Sequence, residues 1–208
     1  MTVVGEVRIV DDVPDAFAEL LIDEAPESIA LSGGALARRC YERLAAYDLD
    51  WRGVTVLFGD ERVVPIDHPD SNEGMARRAL LDHAHPATIH SMVDLGSHAY
   101  DELVRSIPPI ELVHLGMGSD GHTASLFPGA SQLDERERFV VQAGDDAHPH
   151  PRITFTFPAI ARAQLAVVTV AGEEKRDAWQ RLNDGDDIPA ARIRASRVIW
   201  LVHPSVLA

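Results

Sequence analysis

An imidazole, a carboxylate and several hydroxyls stand close together in Leu115-Gly-Met-Gly-Ser-Asp-Gly-His-Thr-Ala-Ser-Leu-Phe-Pro-Gly129, directly behind the apolar run at residues 110–115. His122 can take and return a proton near neutral pH, Asp120 is placed to orient its ring, and Thr123 and Ser125 add hydroxyl donors beside them. Gly116, Gly118 and Gly121 let the backbone approach a ligand closely or adopt a positive φ. This composition suits acid–base chemistry on a small polar molecule.

Four further stretches supply groups for an anion. Leu31-Ser-Gly-Gly-Ala35 runs from an apolar strand through Ser32, Gly33 and Gly34 into a helix, so that backbone N–H groups at the helix start can face a phosphate. Phe58-Gly-Asp-Glu-Arg-Val-Val-Pro65 places three charges after a buried strand, and the fixed fork of Arg62 suits substrate oxygens, with Asp60 or Glu61 orienting it. In Arg152-Ile-Thr-Phe-Thr156 the alternation of a strand puts Arg152, Thr154 and Thr156 on one face, and Gly172-Glu-Glu-Lys175 opens a helix behind another apolar strand.

Strands that position these groups are expected at residues 6–10, 28–32, 54–58, 110–115, 139–142, 152–157, 165–170 and 198–202. Helical spacing of apolar residues is read at 14–24, 36–46, 72–82, 98–105 and 173–183. Strands alternating with helices predict a doubly wound α/β fold with a mostly parallel sheet, and continuous apolar runs such as Ala166-Val-Val-Thr-Val170 predict helices on both of its faces. Ligands of such sheets bind at the carboxyl ends of the strands, which is where Asp120 and His122 lie.

A chain of 208 residues is expected to form one domain, residues 1–208, with a core large enough to need no disulfide. Cys40 is the single cysteine and reads as a packing residue of a helix rather than a nucleophile. A formal charge of −14 opposes binding to nucleic acid or an anionic membrane, and no apolar run reaches the length of a membrane span. The start Met1-Thr-Val-Val-Gly-Glu-Val-Arg8 lacks the order of a secretory signal, so a cytoplasmic protein is expected. Lys175 is the only lysine. The polar loop at 145–151, with His148 and His150, is expected near the site; no spacing of ligating residues reads as a metal set.

Taken in order, Ser32-Gly-Gly34, Gly59-Asp-Glu-Arg-Val-Val-Pro65 with His68-Pro-Asp-Ser-Asn72, the Asp120-Gly-His-Thr-Ala-Ser-Leu-Phe-Pro128 loop, Pro151-Arg-Ile-Thr154 and Gly172-Glu-Glu-Lys175 resemble the 6-phosphogluconolactonase family over most of the chain. The resemblance implies the α/β fold shared with glucosamine-6-phosphate deaminases and ribose-5-phosphate isomerases. It also implies hydrolysis of 6-phospho-D-glucono-1,5-lactone in the oxidative pentose phosphate pathway, without cofactor or metal, by a monomer or small homo-oligomer. His122 is then the general base on water, with Asp120 and Arg62 in the catalytic group. Ser32, Gly33, Gly34, Asp60, Gly121, Thr123, Arg152 and Lys175 are the expected substrate contacts. Where the family commonly continues Ser-Gly-Gly-Ser-Thr-Pro, this chain has Ala35-Leu36-Ala37, which shifts the expected phosphate grip to backbone N–H groups, Arg152 and Lys175.

Two other readings of the same fold stay open at this point. An amino-sugar phosphate deaminase or aldose–ketose isomerase uses a similar loop, but deaminases typically follow it with Asn-Glu-Pro where this chain has Ser125-Leu-Phe-Pro128. A noncatalytic sugar-phosphate sensor would keep the phosphate donors and lose the base.

Overall fold

The computed structural model describes residues 3–144 and 149–207, so His148 of the polar loop lies outside the described residues. Among the described residues ten strands follow in chain order: β1 (Glu6–Ile9), β2 (Ser28–Leu31), β3 (Thr55–Phe58), β4 (Asp60–Arg62), β5 (Thr88–Ile89), β6 (Leu112–Gly116), β7 (Val140–Ala143), β8 (Arg152–Phe155), β9 (Leu165–Val170) and β10 (Arg197–Val202). The α-helices are α1 (Val13–Glu24), α2 (Ala35–Leu44), α3 (Asn72–Ala76), α4 (Asp82–Ala84), α5 (Met92–Ser106), α6 (Phe157–Arg162) and α7 (Arg176–Asp184).

Seven strands make one parallel sheet in the order β1-β10-β9-β6-β2-β3-β5. All six residues of β9 are buried, as are five of the six in β10, which requires cover on both faces of the sheet. Val/Ile-rich composition makes these strands, and the amphipathic helices α1 and α2 close over them. Phe17, Ala18, Leu21, Ala37, Cys40, Tyr41 and Leu44 are buried within one core that runs from Val13 to Val206. Cys40 is fully buried and burial pushes its thiol up to about 12, so it stays protonated as a packing residue.

The remaining strands correct the sequence reading. β4, β8 and β7 form a separate antiparallel sheet, in which Asp60 pairs with Thr154 and Arg62 with Arg152. Three charged residues give no strand signal by pattern; backbone pairing with β8 extends them. The strand expected to reach residue 157 stops at Phe155, because Phe157-Pro158 starts α6 and Thr156 becomes its N-cap, its hydroxyl donating to the Arg138 carbonyl. The helix expected from residue 98 begins at Met92 behind the Ser91 cap and breaks at Gly96, which adopts φ 72 and ψ 166. After α3 the chain widens into a π-turn at Arg77–Leu81 before α4. Among the described residues no helix is long and apolar enough to cross a membrane.

Candidate active site

From β2 the chain moves to β3 on one side of the sheet, and from β6 it moves to β9 on the other, so the winding direction changes between β2 and β6. A crevice opens at the carboxyl ends of the strands at such a point. Here it is a cleft of about 190 Å³ lined by residues that follow β2, β3, β6 and β9, closed on one side by the small antiparallel sheet. Ser32, Gly33, Gly34, Asp60, Arg62, His122, Arg152 and Lys175 all line it.

The loop after β6 pairs Asp120 with His122. Gly118 N–H donates to the His122 carbonyl at 2.8 Å and Gly121 N–H to the Gly118 carbonyl at 3.0 Å, which turns the chain back on itself. One oxygen of Asp120 then accepts both the His122 amide at 3.0 Å and His122 Nδ1 at 2.6 Å, which leaves Nε2 as the ring nitrogen for a reacting partner. Burial disfavours the Asp120 charge, but the His122 amide and imidazole together outweigh it and hold the carboxyl below its ordinary range. The Phe127 ring packs 4.9 Å from the imidazole, so the face beside His122 is apolar rather than acidic.

Gly118 is required by close approach. A Cβ there would lie 2.1 Å from His122 Nδ1 and 2.5 Å from the Asp120 carboxylate. Gly118→Ala therefore swings the ring off Asp120, and since misplacing a reacting group by about 1 Å costs roughly a hundredfold in rate, a loss of that order in kcat is expected while the thermal melt changes little. Activity and circular dichroism on the same preparation check it.

An arginine wall stands opposite. Arg62 Nη1 donates to the Asp70 carbonyl and to Asn72 Oδ1, both at 2.8 Å, and its Nε is buried with no hydrogen-bond partner among the described residues. Neither Asp60 nor Glu61 orients it, contrary to expectation. The Glu61 carboxylate instead accepts the backbone N–H groups of Arg62, Asn72 and Glu73, each at 2.7 Å, and so ties β4 to the start of α3. Asp60 has other partners: Ser125 Oγ donates to its carboxylate at 2.7 Å and Asn72 Nδ2 donates to its backbone carbonyl at 2.9 Å. Asn72 is thus the shared brace of Asp60 and Arg62, and Gly33 permits it, because a Cβ at residue 33 would fall 1.9 Å from Asn72 Oδ1. Arg152 lies beside Arg62 on β8, its guanidinium 5.4 Å from the centre of the Phe127 ring.

The third wall is an anion cradle. Gly34, at φ 96, caps α2 without a side-chain bond, and the first turn of α2 borders the cleft. Tyr41 Oη accepts the Ser32 amide at 2.7 Å and donates to the Ser32 carbonyl at 3.1 Å, pinning this loop to its own helix. Behind Tyr41, fully buried His114 places Nδ1 2.9 Å from the hydroxyl and Nε2 3.0 Å from Thr169 Oγ1. Lys175 reaches in from the far side and donates to the Met117 carbonyl; burial lowers its pKa, while Glu174 and Asp120 act to raise it. Three cations on one cleft give a chain of charge −14 a local site for an anion.

Two expected contacts are not on this surface. Thr123 is fully buried and its hydroxyl donates to the Gly116 carbonyl at 2.9 Å. Gly121, at φ 88, serves the turn and packs against Ile188, where a Cβ would come within 2.9 Å of the side chain. The Ser125 hydroxyl is likewise spent on Asp60. Pattern reading missed Tyr41, Asn72 and His114, since neither helical nor strand spacing marks which groups they pair with; Asn72, in the same run of motifs as Arg62, carried the only signal.

The family model described as glucosamine-6-phosphate isomerases/6-phosphogluconolactonase matches residues 7–200. A 6-phosphogluconolactonase of Nostoc sp. is 42% identical over 196 residues, covering 84% of this chain and 81% of that protein. One of Synechocystis sp. is 36% identical over 211 residues, covering 91% and 87%. The backbone is similar to the crystal structure of a 6-phosphogluconolactonase from Thermotoga maritima, with a TM-score of 0.85 across 95% of this chain and 99% of that one, a likeness of fold at 23% identity.

Proposed function

The chain belongs to the glucosamine-6-phosphate isomerases/6-phosphogluconolactonase family, and on that premise we propose that its cleft hydrolyses 6-phospho-D-glucono-1,5-lactone to 6-phosphogluconate, the lactone step of the oxidative pentose phosphate pathway. The observation that carries this reading is the Asp120–His122 pair facing one cleft with Arg62, Arg152, Lys175 and the start of α2. All of these groups come from one chain and one continuous core, which supports a single catalytic domain.

Water attacks the ester carbonyl while His122 Nε2 takes its proton, and Asp120 holds Nδ1 and offsets the charge of the imidazolium. Negative charge then develops on the carbonyl oxygen, where the Arg62 guanidinium on the cleft wall supplies the opposing positive charge. Collapse breaks the bond to the ring oxygen, which recovers the proton from His122; the new carboxylic acid releases one proton to solvent. Arg152, Lys175 and the Gly33-Gly34 amides bind the 6-phosphate and keep it away from the reacting carbon. The apolar ring of Phe127 beside His122, in place of a second carboxylate, favours lactone opening over the proton shuttling between carbons of a deaminase or isomerase.

Freshly generated 6-phosphogluconolactone, glucosamine 6-phosphate and ribose 5-phosphate assayed side by side test the reading. Acid release above the spontaneous rate with the first alone supports it; ammonia from the amino sugar, or ribulose 5-phosphate from the pentose, replaces it with the rival. Lys175→Met is expected to raise KM by about ten- to a hundredfold with little change in kcat, as loss of one charged hydrogen bond in both ground and transition state requires.

A further inference from the structure

We propose that His68, Asp70 and His150 form a binding site for a zinc-class divalent cation at the rim of the cleft, joining the segment that holds Arg62 to the one that leads into Arg152. One ligand atom from each of the three residues lies within 4.8 Å of the other two. His150 Nε2 stands 2.9 Å from Asp70 Oδ2, a pair separated by 80 residues in sequence, and the His68 and His150 rings meet edge to face at 5.1 Å. His68 Nδ1 accepts the Asp70 amide at 3.1 Å, which fixes its ring next to the carboxylate.

The donor set decides the metal. Two imidazoles and a carboxylate suit Zn2+ or Co2+, with a water in the fourth position, whereas Mg2+ and Ca2+ seek six or more oxygens. Tetrahedral zinc at about 2.0–2.1 Å from each ligand spaces its ligands roughly 3.3 Å apart, so side-chain rotation of about 1 Å closes the set and exchanges the His150–Asp70 bond for metal bonds. Side-chain exposures of 36%, 53% and 23% for His68, Asp70 and His150 leave the place open to solvent ions. Nothing in this arrangement depends on the lactone reading.

The cation would bridge two strands of structure that already meet. The Asp70 carbonyl holds Arg62 Nη1, and Val63 N–H donates to the Pro151 carbonyl at 2.8 Å, one step from both His150 and Arg152. Loading therefore stiffens the frame of the two arginines and raises the thermal midpoint of the folded protein.

Titration of the metal-free full-length protein with Co2+ is expected to give visible d–d bands at one equivalent, displaced by Zn2+, and a higher melting temperature with either ion. His68→Ala/His150→Ala and, separately, Asp70→Asn should weaken Co2+ binding by about a hundredfold or more and abolish the thermal shift, while circular dichroism without metal stays that of the parent. Absence of the bands in the parent, or bands and affinity unchanged in the double variant, overturns the site. If the double variant does not fold, Asp70→Asn alone decides by the same two outcomes.

Discussion

Alanine at position 122 lowers kcat for 6-phosphogluconolactone by about two to four orders of magnitude and leaves KM within roughly threefold, the pattern of a group that acts in the transition state. The loss follows from what the cleft contains: His122 is the side chain whose ring is oriented by a carboxylate, at 2.6 Å, with a nitrogen left over for water. Asp120→Asn should reduce kcat nearly as far while changing only one atom, because a side-chain amide can donate to Nδ1 and so leave the proton on Nε2, where the base must be free. The lactone also opens unaided, so both rates are read after subtracting the buffer reaction. Parent-level turnover in His122→Ala would assign the proton transfer to another group and remove the mechanism.

Acid should destabilise the fold through a buried histidine. His114 is fully buried between Tyr41 and Thr169, and burial pushes its pKa down to about 3. In the unfolded chain the same imidazole takes a proton near about 6.5, so between these values the unfolded state binds more protons and stability falls as pH is lowered, by about 1.4 kcal/mol per pH unit. At pH 4.5 the expected loss is about 3 kcal/mol relative to pH 7.5, a large part of the margin of a typical domain. His114→Gln keeps polar atoms at the site and cannot be protonated. Its denaturation free energy should therefore lose less between pH 7.5 and pH 4.5 than that of the parent, and the Ser32 loop that Tyr41 holds should loosen less in acid. Parallel pH curves for the two proteins would show that His114 does not carry the effect. Depressed carboxyls such as Asp120 and Asp101 contribute only lower in the acid range, where they gain protons.

Much of the architecture was legible because it is local. The eight strand segments read from apolar runs all contain strands, most plainly β9, since a parallel strand buried on both faces must be apolar along its whole length and leaves that mark on the chain. The glycine-rich turns behind β2 and β6 were legible for a related reason, as backbone approach excludes side chains. β4 was not, because Asp60-Glu-Arg62 is extended only by pairing with β8, and nothing in three charged residues announces that. The split into two sheets, the break of α5 at Gly96 and the early end of β8 belong to the same class.

At the site, residue types and strand-end positions already marked the groups from which the proposed chemistry is drawn: an imidazole with a carboxylate two residues away, arginines and a lysine, and glycines where a ligand or a side chain needs room. Only the tertiary structure decided which of those groups face the substrate. It spent Thr123 and Ser125 on internal acceptors, gave Glu61 to backbone amides, made Asn72 the brace of Arg62, and brought His68, Asp70 and His150 together. The reason is that hydrogen-bond partners are chosen by distance in space. A short polar side chain beside a buried backbone group must satisfy that group first, and sequence spacing does not record which groups folding will bury together.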